Sequence, residues 1–235
     1  MFCSNIVSSL VSSLTSLTKR KVAIGKTSIT KIEESNKEIK QWRRIEVLKD
    51  YRFYIICMTM LAMPWIATGS FVYQSFISSS KEWGPYVIAQ SFMAYSILSV
   101  ITLFISGFLI DKFSSRKLLI YMNIPLFFGT IVLYYFDVPI SSFVFFGLLG
   151  VTNGLANVLG SSTWAEIYGV KYIGSIKALT TALMVFSTAF GTALFGFLID
   201  IGFSIEQIAL VSGAYIFGSI ILLYLVKNKL NPQYL

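Results

Sequence analysis

The sequence contains no histidine and only two cysteines, Cys3 and Cys57. The absence of histidine excludes hydrolases with a histidine base, intramembrane serine proteases with a Ser–His pair and metal centres held by imidazole. One cysteine lies in a polar segment and the other in an apolar stretch, so neither a disulfide framework nor a metal site is expected. The sequence therefore predicts no catalytic residues, no metal and no cofactor.

Charged residues are also scarce, at 13% of the 235 residues, whereas they make up roughly a quarter of typical soluble domains. So few charges cannot cover a water-facing surface, and lipid must therefore surround much of the chain. The net charge is +8, but the basic residues separate apolar stretches instead of forming a stripe, which argues against a nucleic-acid partner. We expect an integral, multi-pass membrane protein whose surroundings are the lipid bilayer.

Long stretches without charge alternate with short polar segments from Arg52 onward. A transmembrane helix needs roughly 20 mostly apolar residues, and six stretches meet this requirement. We predict six spans near residues 53–77, 86–110, 118–136, 140–164, 176–199 and 207–226. Pro64 and Pro125 fall within the first and third and are expected to kink them. The predicted fold class is an all-α membrane protein with six transmembrane helices.

The charges between the spans predict how the chain crosses the membrane. All Lys and Arg residues except Lys81 lie before span 1, between spans 2 and 3, between spans 4 and 5 or after span 6. The positive-inside bias then places both termini in the cytoplasm, in a plasma membrane of bacterial type. We expect a polar, basic cytoplasmic segment over 1–50, the six-helix bundle over 51–228 and a short cytoplasmic tail over 229–235. Apolar residues share one helical face over 2–17, which is typical of a frayed or weakly interfacial helix or of a membrane-surface anchor.

The segment that joins spans 2 and 3, residues 107–117, reads GFLIDKFSSRK. It resembles the cytoplasmic loop signature of the major facilitator superfamily: Gly, Asp four residues later, a basic residue at once, a second Gly and a closing basic pair. The residues that match are Gly107, Asp111, Lys112, Arg116 and Lys117. Ser114 stands where the second glycine is usual, and a residue other than glycine resists positive φ.

The resemblance covers residues 45–226. The stretch WAEIYG at 164–169, Gly174 and the small-residue-rich span 5 look like the second half of bacterial members. A full-length member has twelve spans in two six-span halves, so the chain resembles a carboxyl-terminal half: a fragment, a split-gene product or a half-size relative. The resemblance implies a small-molecule substrate and, as partner, a second six-helix half or another copy of the chain.

The interiors of the spans contain only uncharged polar side chains, so no buried carboxylate is available there for proton coupling. The candidate substrate ligands are Tyr73 and Gln74 in span 1 and Asn153 and Asn157 on one face of span 4. The resemblance favours these spans, because the first and fourth helices of each half face the cavity. The alternative is that the amides join neighbouring helices by hydrogen bonds.

Residues 107–111 recur as residues 196–200, both reading GFLID. Chance is one explanation in so apolar a sequence. The other is that the copies end spans 2 and 5 of two inverted three-helix repeats. We then predict that spans 2 and 5 lie side by side, with Asp111 near the start of span 5 and Asp200 near the start of span 2. The candidates for a role in gating are Gly107, Asp111, Lys112, Arg116, Lys117 and Asp200.

Three function classes follow from these observations. The first is transport of a small solute by alternating access, with the chain as one half of a secondary transporter. The alternative is a non-transporting membrane subunit or truncated fragment with a regulatory or assembly role. A membrane enzyme would have to use Asp111, Glu166 or Asp200, and no two of these have a spacing typical of acid–base catalysis. We therefore expect the protein not to be an enzyme.

Overall fold

In a computed structural model of the chain, residues 40–84 and 86–233 are described. Residues 1–39, which include the predicted helix over 2–17 and most of the predicted segment 1–50, lie outside the described residues. The described part consists of nine α-helices and one 3-10 turn, with no strand among them. An all-α fold is therefore confirmed.

Six helices or helix pairs are long and apolar enough to cross a membrane, as predicted. Span 1 is Tyr51–Val72, continued by the short helix Gln74–Ser80; span 2 is Val87–Phe113; span 3 consists of Ser115–Leu119 and Ile124–Tyr135; span 4 is Pro139–Tyr168; span 5 is Ile173–Asp200; and span 6 is Ile205–Val226, followed by the 3-10 turn Lys227–Lys229. A six-residue helix, Arg44–Lys49, precedes span 1. Each observed span overlaps its predicted stretch, with ends that differ by a few residues.

The two prolines have different effects. Pro64 lies inside span 1, as predicted. Pro125 lies in the first turn of Ile124–Tyr135, where its missing N–H costs nothing because no helical acceptor precedes it. The predicted kink at Pro125 is therefore wrong: span 3 is interrupted before the proline, at residues 120–123.

The helical turn before Pro64 is bonded to three other spans. A proline inside a helix removes one backbone hydrogen bond and bends the helix, which opens neighbouring carbonyls to other donors. Three carbonyls accept side-chain hydrogen bonds here: Met58 from the Tyr215 hydroxyl of span 6 (2.8 Å), Thr59 from the Asn123 amide of span 3 (2.7 Å) and Leu61 from the Ser187 hydroxyl of span 5 (3.0 Å). Span 1 is accordingly the most buried span, with 67% of its apolar stretch buried.

The main helix pairs repeat within the bundle. Span 2 packs along span 4 and span 5 along span 1; span 3 packs against span 4 and span 6 against span 1; and spans 3 and 6 contact each other. Exchanging span 1 with 4, 2 with 5 and 3 with 6 leaves this set unchanged. Two inverted three-helix repeats produce this pattern, so the predicted fold class is confirmed.

Glycines hold the two strongest of these pairs together. A Cβ on Gly150 of span 4 would overlap the backbone of Tyr95 in span 2, and a Cβ on Gly191 of span 5 would overlap the backbone of Trp65 in span 1. Small residues permit such close approach between membrane helices. The alanines of span 5, in contrast, are exposed on the bundle surface at positions 178, 182, 189 and 193.

Candidate functional site

The polar segments of the chain gather at two opposite ends of the bundle. One end carries four segments: the one before span 1, the one between spans 2 and 3, the one between spans 4 and 5 and the one after span 6. We call it the basic end. Contacts across it include the Arg52 guanidinium with the carbonyl of Lys229 (3.0 Å) and that of Arg116 with the Asn231 side chain (2.7 Å). The other end carries the three remaining segments, and we call it the Lys81 end.

Glu166, in the last turn of span 4, organises the basic end. Its carboxylate forms a salt bridge with Arg116 and accepts hydrogen bonds from the hydroxyls of Ser114 and Ser115. It also accepts the backbone N–H of Ser115 (3.0 Å) and of Arg116 (3.4 Å). The carboxylate thus caps the start of span 3, where free N–H groups favour a negative charge. We call these four residues the Glu166 cluster.

The turn that enters the Glu166 cluster has the geometry that favours glycine. Ser114 has φ 74° and ψ 140°, in a region that residues with a Cβ rarely occupy. The tight turn of the motif therefore forms although serine replaces the usual glycine. The hydrogen bond from the Ser114 hydroxyl to Glu166 gives the serine a role that glycine lacks.

The other motif residues face away from the bundle. Asp111, Lys112 and Lys117 are exposed, and a Cβ on Gly107 would meet no atom within 4 Å. Asp200 is also exposed, and neither Asp111 nor Asp200 forms a hydrogen bond or salt bridge in the described part of the chain.

The predicted contact between spans 2 and 5 is wrong. Spans 2 and 5 are not a packed pair, because each is held along a different partner, span 4 or span 1, by the glycine contacts described above. The two aspartates therefore do not reach the first turns of each other's helices. The two repeats are real, but they place these helices on different sides of the bundle.

Lys81 organises the opposite end. Its ammonium forms salt bridges with Asp137, in the segment between spans 3 and 4, and with Glu206 in the first turn of span 6 (2.7 Å). Its side chain is fully buried, and the Trp83 indole N–H donates to the Asp137 carbonyl (2.6 Å). We call Lys81, Trp83, Asp137 and Glu206 the Lys81 cluster. It joins the three segments of this end.

The charges around Lys81 keep it ionised. Burial alone lowers its pKa, but the hydrogen bonds and negative charges of Asp137 and Glu206 outweigh this effect and raise the pKa above its usual value. Lys81 was the only basic residue outside the predicted cytoplasmic side. Asp137 and Glu206 neutralise its charge inside the fold, which accounts for a lysine on the side that the charge rule leaves without basic residues.

A sequence model of the Major Facilitator Superfamily matches residues 54–233, more than three quarters of the chain. The chain belongs to the Major Facilitator Superfamily. No curated protein matches the sequence. The superfamily consists of membrane transporters, which are generally not enzymes, and the six apolar helices agree with one half of its fold.

Of the four candidate substrate ligands, the structure brings two together, Asn153 and Asn157. The Asn153 amide donates to the Ser99 hydroxyl of span 2 (2.8 Å), and the Asn157 amide donates to the Asn153 carbonyl (2.9 Å). Asn153 is half-buried and Asn157 is exposed. Asn153 therefore joins two helices, as the alternative interpretation of the amides expects, whereas Asn157 presents its amide oxygen at the bundle surface.

The other two candidates lie nearer the Lys81 end. Tyr73 occupies the junction between Tyr51–Val72 and Gln74–Ser80, and its ring stacks on Phe195 of span 5. Gln74 is half-buried at the start of the short helix. No hydrogen bond in the described part of the chain joins either residue to Asn153 or Asn157.

Sequence reasoning missed both charged clusters. Glu166 was considered only as a candidate acid, and Lys81 only as an exception to the charge rule. A signal for the Lys81 cluster was present, because Asp137 and Glu206 lie in the two other segments on the same side as this single lysine. An apolar environment makes such a set of opposite charges pair.

Proposed function

We propose that the chain transports a small solute by alternating access, as one six-helix half of a secondary transporter. The observation that carries the proposal is the exposed amide of Asn157. At about 1.5 Å per residue, Asn157 lies roughly 27 Å from one end of span 4 and 17 Å from the other, within the apolar depth of a bilayer. An amide oxygen facing lipid tails is strongly disfavoured, so this surface is expected to line a watery cavity.

The second wall of that cavity would come from a second six-helix half or another copy of the chain. Only 6% of the apolar stretch of span 2 and 22% of that of span 5 is buried within the chain. Span 5 also presents its exposed alanines, which favour close contact with another helix. Tyr73, Gln74 and Asn153 are proposed to contribute to the same substrate path.

Both termini are proposed to be cytoplasmic, which places the basic end inside the cell. Ile140 in the first turn of span 4 and Lys171 between spans 4 and 5 are exposed at opposite ends. In a chain without Cys3 and Cys57, Ile140→Cys should react with an impermeant thiol reagent added to intact cells, and Lys171→Cys only after lysis. The reverse result would invert the topology.

Water access to Asn157 tests the proposed cavity. We expect Asn157→Cys to react with a water-soluble thiol reagent in membranes that contain the chain and its partner half. Phe217→Cys in span 6 is the control, since Phe217 is also exposed in the isolated bundle but is apolar. If Asn157→Cys and Phe217→Cys are equally unreactive, Asn157 faces lipid and the chain is better explained as a non-transporting subunit.

The exposed motif residues are proposed to act in gating. In the described part of the chain, the side chains of Asp111, Lys112, Lys117 and Asp200 form no hydrogen bond or salt bridge, and a Cβ on Gly107 would meet no atom, so their partners would lie in the second half. Asp111→Asn should leave the amount of protein in the membrane nearly unchanged and reduce solute flux in cells that express both halves. Unchanged flux would mean that Asp111 has no role in gating.

A further inference from the structure

We propose that the basic end binds one anionic phospholipid between spans 1 and 6. Its headgroup lies at Lys49 and Lys229, and one acyl chain enters an apolar cleft beside Trp65. The proposal does not depend on transport, since none of the residues that it uses belongs to the proposed substrate path. It rests on three features that share one line along the two spans: unpaired cations, an apolar groove and a cleft.

The headgroup position is a pair of cations around Tyr51. The Lys229 ammonium lies 6.0 Å from the centre of the Tyr51 ring, and Lys49 precedes Tyr51 by two residues. The segment that carries Lys229 is fixed in place, because the Arg52 guanidinium donates to the carbonyls of Lys229 (3.0 Å) and Asn231 (3.2 Å). The Lys229 ammonium is therefore held beside the Tyr51 ring, and Lys49 lies two residues before that ring at the start of span 1.

The positive charge at this position is not compensated. Lys49 and Lys229 are exposed, and neither forms a salt bridge in the described part of the chain. The nearby acids are occupied: Asp50 pairs with Arg52 (2.8 Å), and Glu46 accepts the backbone N–H of Arg43 (2.7 Å). Basic residues at a membrane surface attract anionic headgroups, and aromatic rings favour the same interfacial zone.

Exposed apolar and aromatic side chains continue from this position into the membrane along spans 1 and 6, and we call the space between them the groove. Its walls are exposed side chains at helical spacing on both spans: Tyr51, Tyr54 and Met58 on span 1 and Leu222 and Leu225 on span 6. Gly218 of span 6 has no side chain, and a Cβ added there would meet no atom within 4 Å, so the space beside it is open. The hydrogen bond from Tyr215 to the Met58 carbonyl joins the two spans at the end of the groove.

The groove ends at a cleft of about 350 Å³ between spans 1, 5 and 6. The residues that line it are almost all apolar: Leu61, Trp65, Phe186, Ser187, Phe190, Leu194, Val211 and Tyr215. Leu61 and Trp65 follow Tyr51 by ten and fourteen residues, or about 15 and 21 Å along the helix. One leaflet contributes about 15 Å of hydrocarbon, so the tail of a lipid anchored at Tyr51 reaches the level of Leu61, and Trp65 lies about one helical turn deeper.

The dimensions favour a lipid chain over a helix from a partner protein. A helix with its side chains is about 10–12 Å wide, and a cleft of this volume holds at most a fragment of one. The volume falls within the range of roughly 300–1,000 Å³ that is usual for small-molecule sites. The lysines add a requirement for negative charge that a neutral lipid does not meet.

Trp65 provides a reporter within the cleft. The full chain would be reconstituted in phosphatidylcholine vesicles that contain a small fraction of either phosphatidylglycerol or phosphatidylcholine with brominated acyl chains, which quench tryptophan on contact. The difference in quenching between the chain and its Trp65→Phe variant isolates the signal of Trp65. Half-maximal quenching of Trp65 should need about tenfold less brominated phosphatidylglycerol than brominated phosphatidylcholine, since two basic residues attract the anionic headgroup.

Two double variants with the same loss of charge complete the experiment. Lys49→Gln with Lys229→Gln should abolish the preference for phosphatidylglycerol, whereas Lys171→Gln with Lys177→Gln, at exposed positions elsewhere on the basic end, should preserve it. Equal quenching by both lipids, an unchanged preference in the first double variant or the absence of Trp65 quenching would each overturn the proposal. The last result is also expected if a partner helix covers the cleft.

Discussion

The Glu166 cluster and the Lys81 cluster occupy equivalent places at opposite ends of the bundle, with their charges reversed. At the basic end, an acid that ends span 4 pairs with a base in the first turn of span 3. At the other end, a base that follows span 1 pairs with an acid in the first turn of span 6. Exchanging span 1 with span 4 and span 3 with span 6, as the two repeats do, converts one ion pair into the other. The repeats therefore share the position of the ion pair, although the acid and the base change places.

The two clusters differ in how far water reaches them. The Lys81 side chain is fully buried and has two acidic partners, whereas the side chains of Arg116 and Glu166 are 23% and 25% exposed and pair one to one. A buried charge is costly to leave without its partner, and a partly hydrated one less so. The Lys81 end is therefore the firmer of the two.

Removing the buried charge should have the largest effect. Lys81→Met leaves Asp137 and Glu206 facing each other without a cation and loses the hydrogen bonds to both carboxylates, so we expect it to lower the free energy of unfolding by about 2 kcal/mol. Thermal unfolding in detergent micelles measures the loss. Lys171→Met, at an exposed position, is the control and should change stability little. Equal stability of the two variants would mean that the Lys81 cluster contributes nothing.

Neutralising one acid at each end compares the clusters directly. Glu166→Gln leaves Arg116 without an acidic partner, and a loss of about 1–2 kcal/mol is expected for a partly hydrated pair. Glu206→Gln should cost less, because Asp137 still neutralises Lys81. The same unfolding assay ranks the two variants. A larger loss for Glu206→Gln would show that Asp137, which is 76% exposed, does not compensate.

The turns that enter spans 3 and 6 allow a finer comparison. Ser114 and Gly202 both have positive φ, at 74° and 89°. Both variants lose the hydroxyl. Ser114→Ala keeps the Cβ that makes this φ unfavourable, whereas Ser114→Gly removes it, so glycine should be the more stable variant by about 1 kcal/mol.

Gly202→Ala should cost a similar amount, about 1 kcal/mol, because an added Cβ there meets no atom and only the backbone conformation is penalised. Unfolding midpoints of the three variants give the comparison. If Ser114→Ala is as stable as Ser114→Gly, the turn tolerates a Cβ and the serine needs no compensating hydrogen bond.

The smallest expected effect is that of mild alkali. The pKa of Lys81 is raised in the folded protein, so its stabilisation is fully present below its ordinary value of about 10.4 and is lost only as the pH rises through the higher folded value. The difference in stability between the unmodified chain and Lys81→Met should therefore stay constant from pH 7 to pH 9. A marked fall within this interval would show that Lys81 titrates early.

Much of the fold was predictable because the bilayer restricts the possible structures. Six uncharged stretches and the alternation of basic segments predict six spans, and the repeated GFLID predicts two inverted repeats, which the packing pairs confirm. The interruption before Pro125 was not predicted, because a proline in the sequence does not reveal whether it kinks a helix or starts one.

The contacts of the site were less predictable than the spans. The repeat drew attention to Asp111 and Asp200, yet the ion pairs use Arg116 and Glu206, five and six residues further on. Which helix faces which depends on where two backbones approach closely, as at Gly150 and Gly191, and one sequence does not show which glycines do this. The pairing of spans 2 and 5 was wrongly predicted for this reason.

The hydrogen bonds before Pro64 have a consequence for the order in which the protein assembles. Span 1 leaves the ribosome first, but its Met58, Thr59 and Leu61 carbonyls receive their side-chain donors only when residues 123, 187 and 215 have been made. The first span thus enters the membrane with its bend incompletely bonded, and its environment is completed by the last. A chain cut short after span 5 would lack the Tyr215 donor, and it would also lack Glu206, a partner of Lys81 at one end of the bundle. Among these six spans, the last to be made therefore supplies the final hydrogen-bond donor to the turn before Pro64.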